Sequence, residues 1–127
     1  MIKKVINTKG APEAIGTYSQ GIQTENFIYT SGQIALDPQT GNLQVGEIRG
    51  EIRQVLDNLN AILIEGGSSL NSIVKLTGFV TDLSWFPTLN EIFIEYFPEK
   101  PPARSAVQVS ALPMGAHIEI EAIGVVE

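Results

Sequence analysis

The sequence predicts a single α+β domain over residues 1–127, in which a mixed six-stranded sheet carries two helices on one face. The length suits one domain, and 43% hydrophobic with 17% charged residues is typical of a compact globular protein. Two segments repeat apolar residues at helical spacing, whereas six shorter runs are rich in β-branched and aromatic residues. Their order is strand, hairpin, helix, strand, helix, strand, strand, and the strand–helix–strand units imply right-handed parallel crossovers.

The first third of the chain is predicted to form three strands. Lys3–Asn7 suits a short first strand, and a loop rich in turn residues leads to Gly21. Ile22–Thr24 and Phe27–Ala35 have the β-branched and aromatic residues of two further strands. The tight connection between them at Glu25–Asn26 predicts a hairpin.

The second strand of this hairpin is interrupted by Ser31 and Gly32. A glycine at such a point marks a bulge, a close approach of a ligand or another backbone, or a simple bend of the sheet. Asp37–Gly41 follows, with Pro38 and Gly41 at positions that favour a turn. We therefore expect the hairpin region to end there.

Glu47–Glu65 is predicted to be an amphipathic helix that ends at Gly66 and Gly67. Its apolar residues recur at spacings of three and four: Ile48, Ile52, Val55, Leu56, Leu59, Ile62 and Leu63. Its charged residues are interpreted as a solvated face without a function: Glu47, Arg49, Glu51, Arg53 and Asp57.

Ser72–Thr81 alternates along its length and is predicted to be a half-buried strand. One side of the strand carries Val74, Leu76, Gly78 and Val80, and the other carries Ile73, Lys75, Thr77, Phe79 and Thr81. A second helix follows, capped by Asp82 or Ser84 and ended by Pro98. Its core stripe consists of Phe86, Leu89, Phe93, Tyr96 and Phe97.

Ala103–Val109 and His117–Val126 are predicted to be the last two strands. Period-two alternation places Arg104 and Ala106 on one face of the first, and it places Glu119 opposite the isoleucines of the second. Two helices cover only one face of such a sheet. Because the other face still carries apolar residues, we expect it to contact other copies of the chain.

Charge and composition exclude several classes of function. The formal net charge is −6 and no basic cluster exceeds Lys3–Lys4, so a nucleic-acid-binding surface is not expected. The absence of cysteine excludes thiolate chemistry, and a single histidine, His117, leaves no metal signature and is interpreted as a polar strand residue. The sequence lacks a phosphate-binding glycine loop, a Ser/His/Asp set, a signal peptide and a membrane span. We expect a cytoplasmic protein without a membrane partner.

Arg104 is one of three arginines and the only one within an apolar, strand-like run. An unpaired charge in such a setting is costly, so the guanidinium requires an anion. One alternative is a structural partner, for which the candidates are Glu119, Glu121 and Asp82. The other is the carboxylate of a bound ligand, which a guanidinium grips with two hydrogen bonds. Glu119 would then act on a water molecule. Such a small catalytic set is sufficient only for an easy reaction on an already reactive molecule.

Further motifs follow in order over nearly the whole chain: Tyr18-Ser19-Gln20, Thr30-Ser31-Gly32-Gln33-Ile34, Asp82-Leu83 with Asn90, Pro102-Ala103-Arg104-Ser105, and Ile118-Glu119-Ile120-Glu121-Ala122. Together they resemble the motifs of the reactive intermediate deaminase (RidA, YjgF-like) family. The resemblance implies a chorismate-mutase-like fold and a homotrimer with a central β-barrel and ligand clefts between subunits. It also implies cofactor-independent hydrolysis of 2-aminoacrylate-derived enamines and imines to 2-keto acids and ammonia.

By the same resemblance, Arg104 would hold the substrate carboxylate, and Glu119 would position or activate the attacking water. Tyr18 would close the pocket from the neighbouring subunit. The other substrate-binding positions would line or brace the pocket: Ser31, Gly32 and Asn90. Many family members have a cysteine where this chain has Ala106. We expect this position to contribute only backbone hydrogen bonds to the ligand, in which case alanine retains the function.

A second hypothesis comes from another class of protein. In it the chain is a non-enzymatic trimer that binds a small carboxylate in the same cleft and acts as a regulator or partner-binding module. Turnover of imines separates this hypothesis from the deaminase. Ribonuclease activity has been attached to relatives of the family, but the net charge of −6 and the lack of a basic stripe argue against it here.

Overall fold

The computed structural model describes residues 2–127, which form a mixed six-stranded sheet with strand order β1-β2-β3-β6-β4-β5. The strands are β1 (Lys3–Ile6), β2 (Gly21–Thr24), β3 (Phe27–Thr30), β4 (Ile73–Val80), β5 (Ala103–Gln108) and β6 (Ile118–Val125). Neighbouring strands are antiparallel except for β4 and β5. The predicted mixed sheet of six strands is therefore confirmed.

Two helices, α1 (Ile48–Glu65) and α2 (Phe86–Tyr96), share one core with the same face of the sheet. The apolar stripe of α1 is buried as its spacing predicts, and burial of such side chains stabilises a fold by about 25 cal/mol per Å² of apolar surface. The helix ends before Gly66, where a Cβ atom would lie 2.6 Å from the side chain of Ile6. Within residues 2–127, neither helix combines the length and apolarity that crossing a bilayer requires.

Asp82 caps the turn that leads into α2 and not α2 itself, whose N-cap position is Trp85 without a side-chain capping bond, so the prediction that Asp82 or Ser84 caps the helix is wrong. The Asp82 carboxylate accepts a hydrogen bond from the Ser84 backbone N–H at 2.8 Å, and this bond lowers the pKa of Asp82. A short 3₁₀ turn, Leu83–Trp85, separates the cap from α2. Pro87 lies in the first turn of the helix, where its missing N–H costs nothing.

Two strands differ from the sequence prediction in how they end or alternate. The predicted strand Phe27–Ala35 ends at Thr30. In β4, Ile73 aligns with Gly124 and Lys75 aligns with Ile123, so the register slips at the intervening residue, Val74. The prediction that Val74 shares a face with Leu76 is therefore wrong, because this irregularity shifts the alternation and leaves Val74 44% exposed.

The charged face of α1 is partly corrected by the structure. Arg49 and Arg53 pair with Glu91 and Glu95 of α2, as a structural role requires. Such exposed pairs stabilise a protein by about 0–1 kcal/mol. Glu51, however, is buried and not solvated as predicted.

Glu51 turns towards the beginning of β6 because this side of α1 faces the sheet. Its Oε1 atom lies 2.6 Å from Nδ1 of His117, whose ring also makes an edge contact with Trp85. His117 precedes β6 and is bound to the helix layer, so its interpretation as a polar strand residue is wrong. A period-two pattern could not reveal this contact, because it depends on packing between layers.

The face of the sheet opposite the helices carries many apolar side chains and is uncovered in the single chain. Strand pairing brings the following side chains to this open face: Val5, Ile22, Phe27, Tyr29, Phe79, Val107, Ile123 and Val125. Among them Val5 is 57% and Tyr29 44% exposed. Exposed apolar side chains grouped on one face of a sheet are typical of a surface that meets another protein chain.

Candidate functional site

A cavity of about 360 Å³ lies where the end of β3 passes the first residues of β6. Its polar end contains Ser31, Gly32, Gln33 and Glu119. Tyr18, the charged residue Glu13 and a set of apolar side chains form the remaining wall: Pro12, Ile15, Ile34, Leu36, Pro113 and Met114. We call Tyr18, Ser31, Gly32 and Glu119 the acidic half-site.

Glu119 is carried by β6 on the open face of the sheet, where it aligns with Phe79 of β4. Partial burial raises the pKa of its carboxyl group, and the neighbouring charge of Glu121 raises it further. Within the described part of the chain, no cation forms an ion pair with it. The raised pKa makes this carboxylate a better proton acceptor than an ordinary glutamate.

Gly32 leaves the space that the Glu119 carboxylate occupies. A Cβ atom at position 32 would lie 2.6 Å from the nearer carboxylate oxygen and 2.8 Å from its carbon. The backbone of Gly32 does not require glycine for its φ angle, so the absent side chain is what matters here. The group that approaches this glycine is the Glu119 side chain, which none of the alternatives offered from the sequence named.

A bulge brings Gly32 to this position. Tyr29 pairs with Ile123 of β6, and Gln33 pairs with Ile120 of the same strand. Between these two pairs, the segment that continues from β3 advances by four residues and β6 by only three. Between these pairs, the Thr30 hydroxyl accepts the Ala122 N–H at 3.0 Å. The extra residue bends the strand and turns Gly32 towards β6.

The loop before β2 forms the opposite wall and is fixed by two polar residues. The Ser31 hydroxyl donates to the Ser19 carbonyl at 2.5 Å. Gln20 is buried. Its side-chain carbonyl accepts the Thr8 backbone N–H, and its side-chain NH₂ group donates to the carbonyl of Thr8 and, at 2.7 Å, to the carbonyl of Pro12. These bonds hold the segment that carries Tyr18, whose hydroxyl accepts the Ile15 N–H at 3.4 Å.

Arg104 lies in a separate depression, which Asn90, Phe93, Ile94, Phe97 and the two prolines before β5 also line. Its guanidinium carbon is 5.2 Å from the centre of the Phe93 ring, a cation–π contact. Among residues 2–127 it forms no ion pair, so the predicted structural partners Glu119, Glu121 and Asp82 are wrong. Arg104 is also exposed, because β5 is the edge strand of the sheet.

Arg104 and Glu119 face opposite sides of the sheet. Arg104 aligns with the buried Leu76 and therefore points to the helix face, whereas Glu119 aligns with Phe79 on the open face. Ala106 lies two residues beyond Arg104 on that same helix face. We call Asn90, Arg104 and Ala106 the arginine half-site, since one chain does not bring these residues to the acidic half-site.

Several residues of these sites were not identified from the sequence. Gln20 was part of a recognised motif, but its role as the buried anchor of the loop depends on contacts twelve residues away. Ile15 and Met114 form the rim of the cavity, and Met114 adopts a left-handed conformation with φ 58°. For Met114, the only signal in the sequence is the turn composition of Pro113–Gly115.

Several known proteins are similar to this chain over nearly its whole length. The family profile described as Endoribonuclease L-PSP matches residues 8–126. A RutC family protein of Pyrococcus abyssi is 50% identical over 97% of this chain and 97% of its own length. The 2-iminobutanoate/2-iminopropanoate deaminase of Mus musculus is 49% identical over 98% of this chain and 93% of its own length.

Solved structures extend the likeness to the whole fold. RidA from a Psychrobacter species matches with a TM-score of 0.93 and 46% identity, over 97% of this chain and 99% of that chain. TdcF of E. coli, solved with bound serine, matches with a TM-score of 0.91 and 42% identity, over 98% and 99%. Profile, relatives and structures agree with the motifs in the sequence, and this chain therefore belongs to the reactive intermediate deaminase (RidA, YjgF-like) family.

Proposed function

We propose that this protein is an imine deaminase that converts 2-imino acids, formed from 2-aminoacrylate-type enamines, into 2-keto acids and ammonia. The observation that carries the proposal is Glu119, a half-buried carboxylate with a raised pKa at the polar end of a cavity. The relatives named as deaminases of 2-iminobutanoate and 2-iminopropanoate support the same reaction class.

The proposed reaction needs only water and one proton carrier. Glu119 removes a proton from a water whose oxygen bonds to C2 of the imine, and it passes this proton to the imine nitrogen. In the resulting carbinolamine, Glu119 removes the hydroxyl proton and passes it to the amino nitrogen. The C2–N bond then breaks, the C2–O bond becomes a carbonyl, and ammonia leaves. An imine carbon is already electrophilic, so proximity and a matched electrostatic environment account for the acceleration.

We propose that a neighbouring copy in a homotrimer supplies Arg104, which binds the substrate carboxylate. Three features support this arrangement: Arg104 is exposed, it forms no ion pair within residues 2–127, and it lies on the opposite sheet face from Glu119. The uncovered apolar face of the sheet supports assembly of copies around a central β-barrel. Asn90 and Ala106 would border the carboxylate site, and Tyr18 would close the cleft from the other side.

The wild-type protein is expected to accelerate imine decay. An amino-acid oxidase acting on alanine would generate 2-iminopropanoate, and competition with semicarbazide would report the remaining imine. The signal from imine trapped by semicarbazide should fall when wild-type protein is added, and it should stay high when the Glu119→Gln variant is added instead. Unchanged trapping by a preparation shown to be folded and oligomeric would contradict the proposal.

A second candidate function is a non-enzymatic sensor of small carboxylates. The bound serine in the E. coli TdcF structure favours it, because that relative holds a small amino acid. Binding of 2-keto acids by a folded trimer that never hydrolyses imines would support the sensor. RNA cleavage, which the name of the family profile suggests, is disfavoured by the net charge of −6.

Gly32→Ala is expected to reduce imine hydrolysis about tenfold to a hundredfold with little loss of stability, since a displacement of about 1 Å in a catalytic group has effects of this size. The added methyl group would meet the flexible end of Glu119 and not the backbone, so the carboxylate would move while the fold adjusts. Steady-state kinetics and thermal unfolding measure the two effects.

Gly50→Ala provides the matched control for this variant. A Cβ atom at this exposed position of α1 has no neighbour within 4 Å, and alanine favours the helix. It should retain activity and gain slightly in stability. A Gly32→Ala protein as active as Gly50→Ala would show that the position of the Glu119 carboxylate is not important.

A further inference from the structure

The cavity of the acidic half-site is lined by both polar and apolar side chains. Glu119 and Ser31 are polar lining groups, and the reacting carbon and nitrogen belong beside them in the proposed function. The lining also includes Ile15 and Met114, which are 78% and 59% exposed and lie at the rim. Two large apolar side chains left in water beside a ligand cavity indicate a surface for an apolar part of the ligand.

Met114 is held at the rim by an unusual backbone conformation. It has φ 58° and ψ 19°, and Gly115 follows with φ 74°. Left-handed conformations are unfavourable for a residue with a long side chain, and they persist mainly where surrounding structure enforces them, often beside ligands. Here the Ala116 N–H donates to the Pro113 carbonyl at 3.0 Å and closes the turn.

The turn is also linked rigidly to the catalytic strand. Ala116 is buried and β6 begins at Ile118, so only four residues lie between Met114 and Glu119. The rim on the other side is carried by the loop that Gln20 anchors. The backbone that carries each apolar side chain is therefore anchored near the cavity.

We propose that Ile15 and Met114 determine substrate specificity by contacting the side chain of the 2-imino acid, and that they favour branched aliphatic or thioether side chains over the methyl group of 2-iminopropanoate. This inference rests on the proposed function. The volume of about 360 Å³ falls within the range of small-molecule sites and exceeds what a three-carbon acid fills. The flexible thioether of Met114 suits side chains of several shapes.

The test compares the imines that an amino-acid oxidase forms from leucine and from alanine. Met114→Asn keeps a residue that tolerates the left-handed conformation but replaces the apolar contact by a polar one. The ratio of kcat/KM for the leucine-derived imine to that for the alanine-derived imine should fall about tenfold, the effect of a lost apolar contact in a specificity pocket. Met114→Leu, which keeps the apolar contact, should restore the ratio.

Ile15→Ser is the second variant, and it lowers the same ratio without altering the Pro113–Gly115 turn. An unchanged ratio in Met114→Asn and Ile15→Ser would overturn the inference. The inference would also be overturned if these variants lost activity equally on both imines and formed smaller oligomers than wild type. Ile15 and Met114 would then be subunit contacts.

Binding of 4-methyl-2-oxopentanoate and pyruvate, measured by calorimetry, separates this inference from the proposed function. If wild type hydrolyses neither imine but binds the larger keto acid more tightly, and Met114→Asn removes that preference, the specificity assignment stands and the deaminase proposal fails. If wild type hydrolyses both imines and the variants keep the ratio, the deaminase stands and the specificity assignment fails.

Discussion

Glu119→Gln is expected to lower kcat for imine hydrolysis by about a hundredfold or more, the usual contribution of a positioned general base. Glutamine has nearly the same size as glutamate, so it keeps the cavity shape beside Gly32 but cannot accept the proton from water. Binding of 2-keto acids should persist, because their carboxylate is assigned to Arg104. Single-turnover kinetics and calorimetry measure the two properties separately.

The same variant is expected to be more stable than wild type at neutral pH. Burial raises the pKa of Glu119 in the folded chain above its value in the unfolded chain. The folded chain therefore binds this proton more tightly, and stability is lost as the pH rises through the folded pKa. Glutamine removes that loss, so the difference in urea midpoint should be present at pH 7 and vanish below the ordinary glutamate pKa of about 4.3.

The pH–rate profile of wild type should show the same group. Activity requires ionised Glu119, so it should fall as the pH drops through the raised pKa. Glu121→Gln is the matched control, since Glu121 is exposed and its charge is the second cause of the shift. This control should retain activity with its acid limb moved to lower pH. A Glu119→Gln protein with normal kcat, or an acid limb that Glu121→Gln leaves unmoved, would contradict these roles.

The elements of the fold were predictable from local pattern. The apolar spacing of α1, the glycines at its end and the alternation of β6 each depend on residues within one segment, and the structure confirms all three. Patterns failed where one residue changed the register, as at Val74 in β4. They also failed where two layers meet, as for Glu51, whose partner His117 is 66 residues away.

The candidate site was predictable only in part for the same reason. The alternation of β5 and of β6 gives the faces within each strand, but only the strand order reveals that Arg104 and Glu119 face opposite sides of the sheet. The conformation of Met114 has no sequence signal of its own, because the turn around it imposes it. The position of one half-site relative to the other therefore could not be predicted from the sequence alone.

Arg104→Ala is expected to lower kcat/KM for imine hydrolysis by about a hundredfold or more, because it removes a bidentate charge-assisted contact to the substrate carboxylate. Arg104→Lys should recover little of this loss, since an ammonium cannot match the planar geometry of a carboxylate. The fold should survive, because the guanidinium is exposed and lies over the Phe93 ring without an ion pair among residues 2–127. Arg49→Ala is the matched control, as it removes an exposed interhelical pair and should keep full activity.

Mixing two inactive variants tests whether Arg104 and Glu119 act from different subunits. Each cleft would take Glu119 from one chain and Arg104 from the next. Co-refolding equal amounts of Arg104→Ala and Glu119→Gln chains should then restore about a quarter of the wild-type sites, because random assembly gives each cleft both intact residues in one case of four. Either variant refolded alone should stay inactive. Recovery no greater than the sum of the two single variants, in mixed trimers verified by native mass spectrometry, would mean that both residues act within one chain, which their opposite sheet faces argue against.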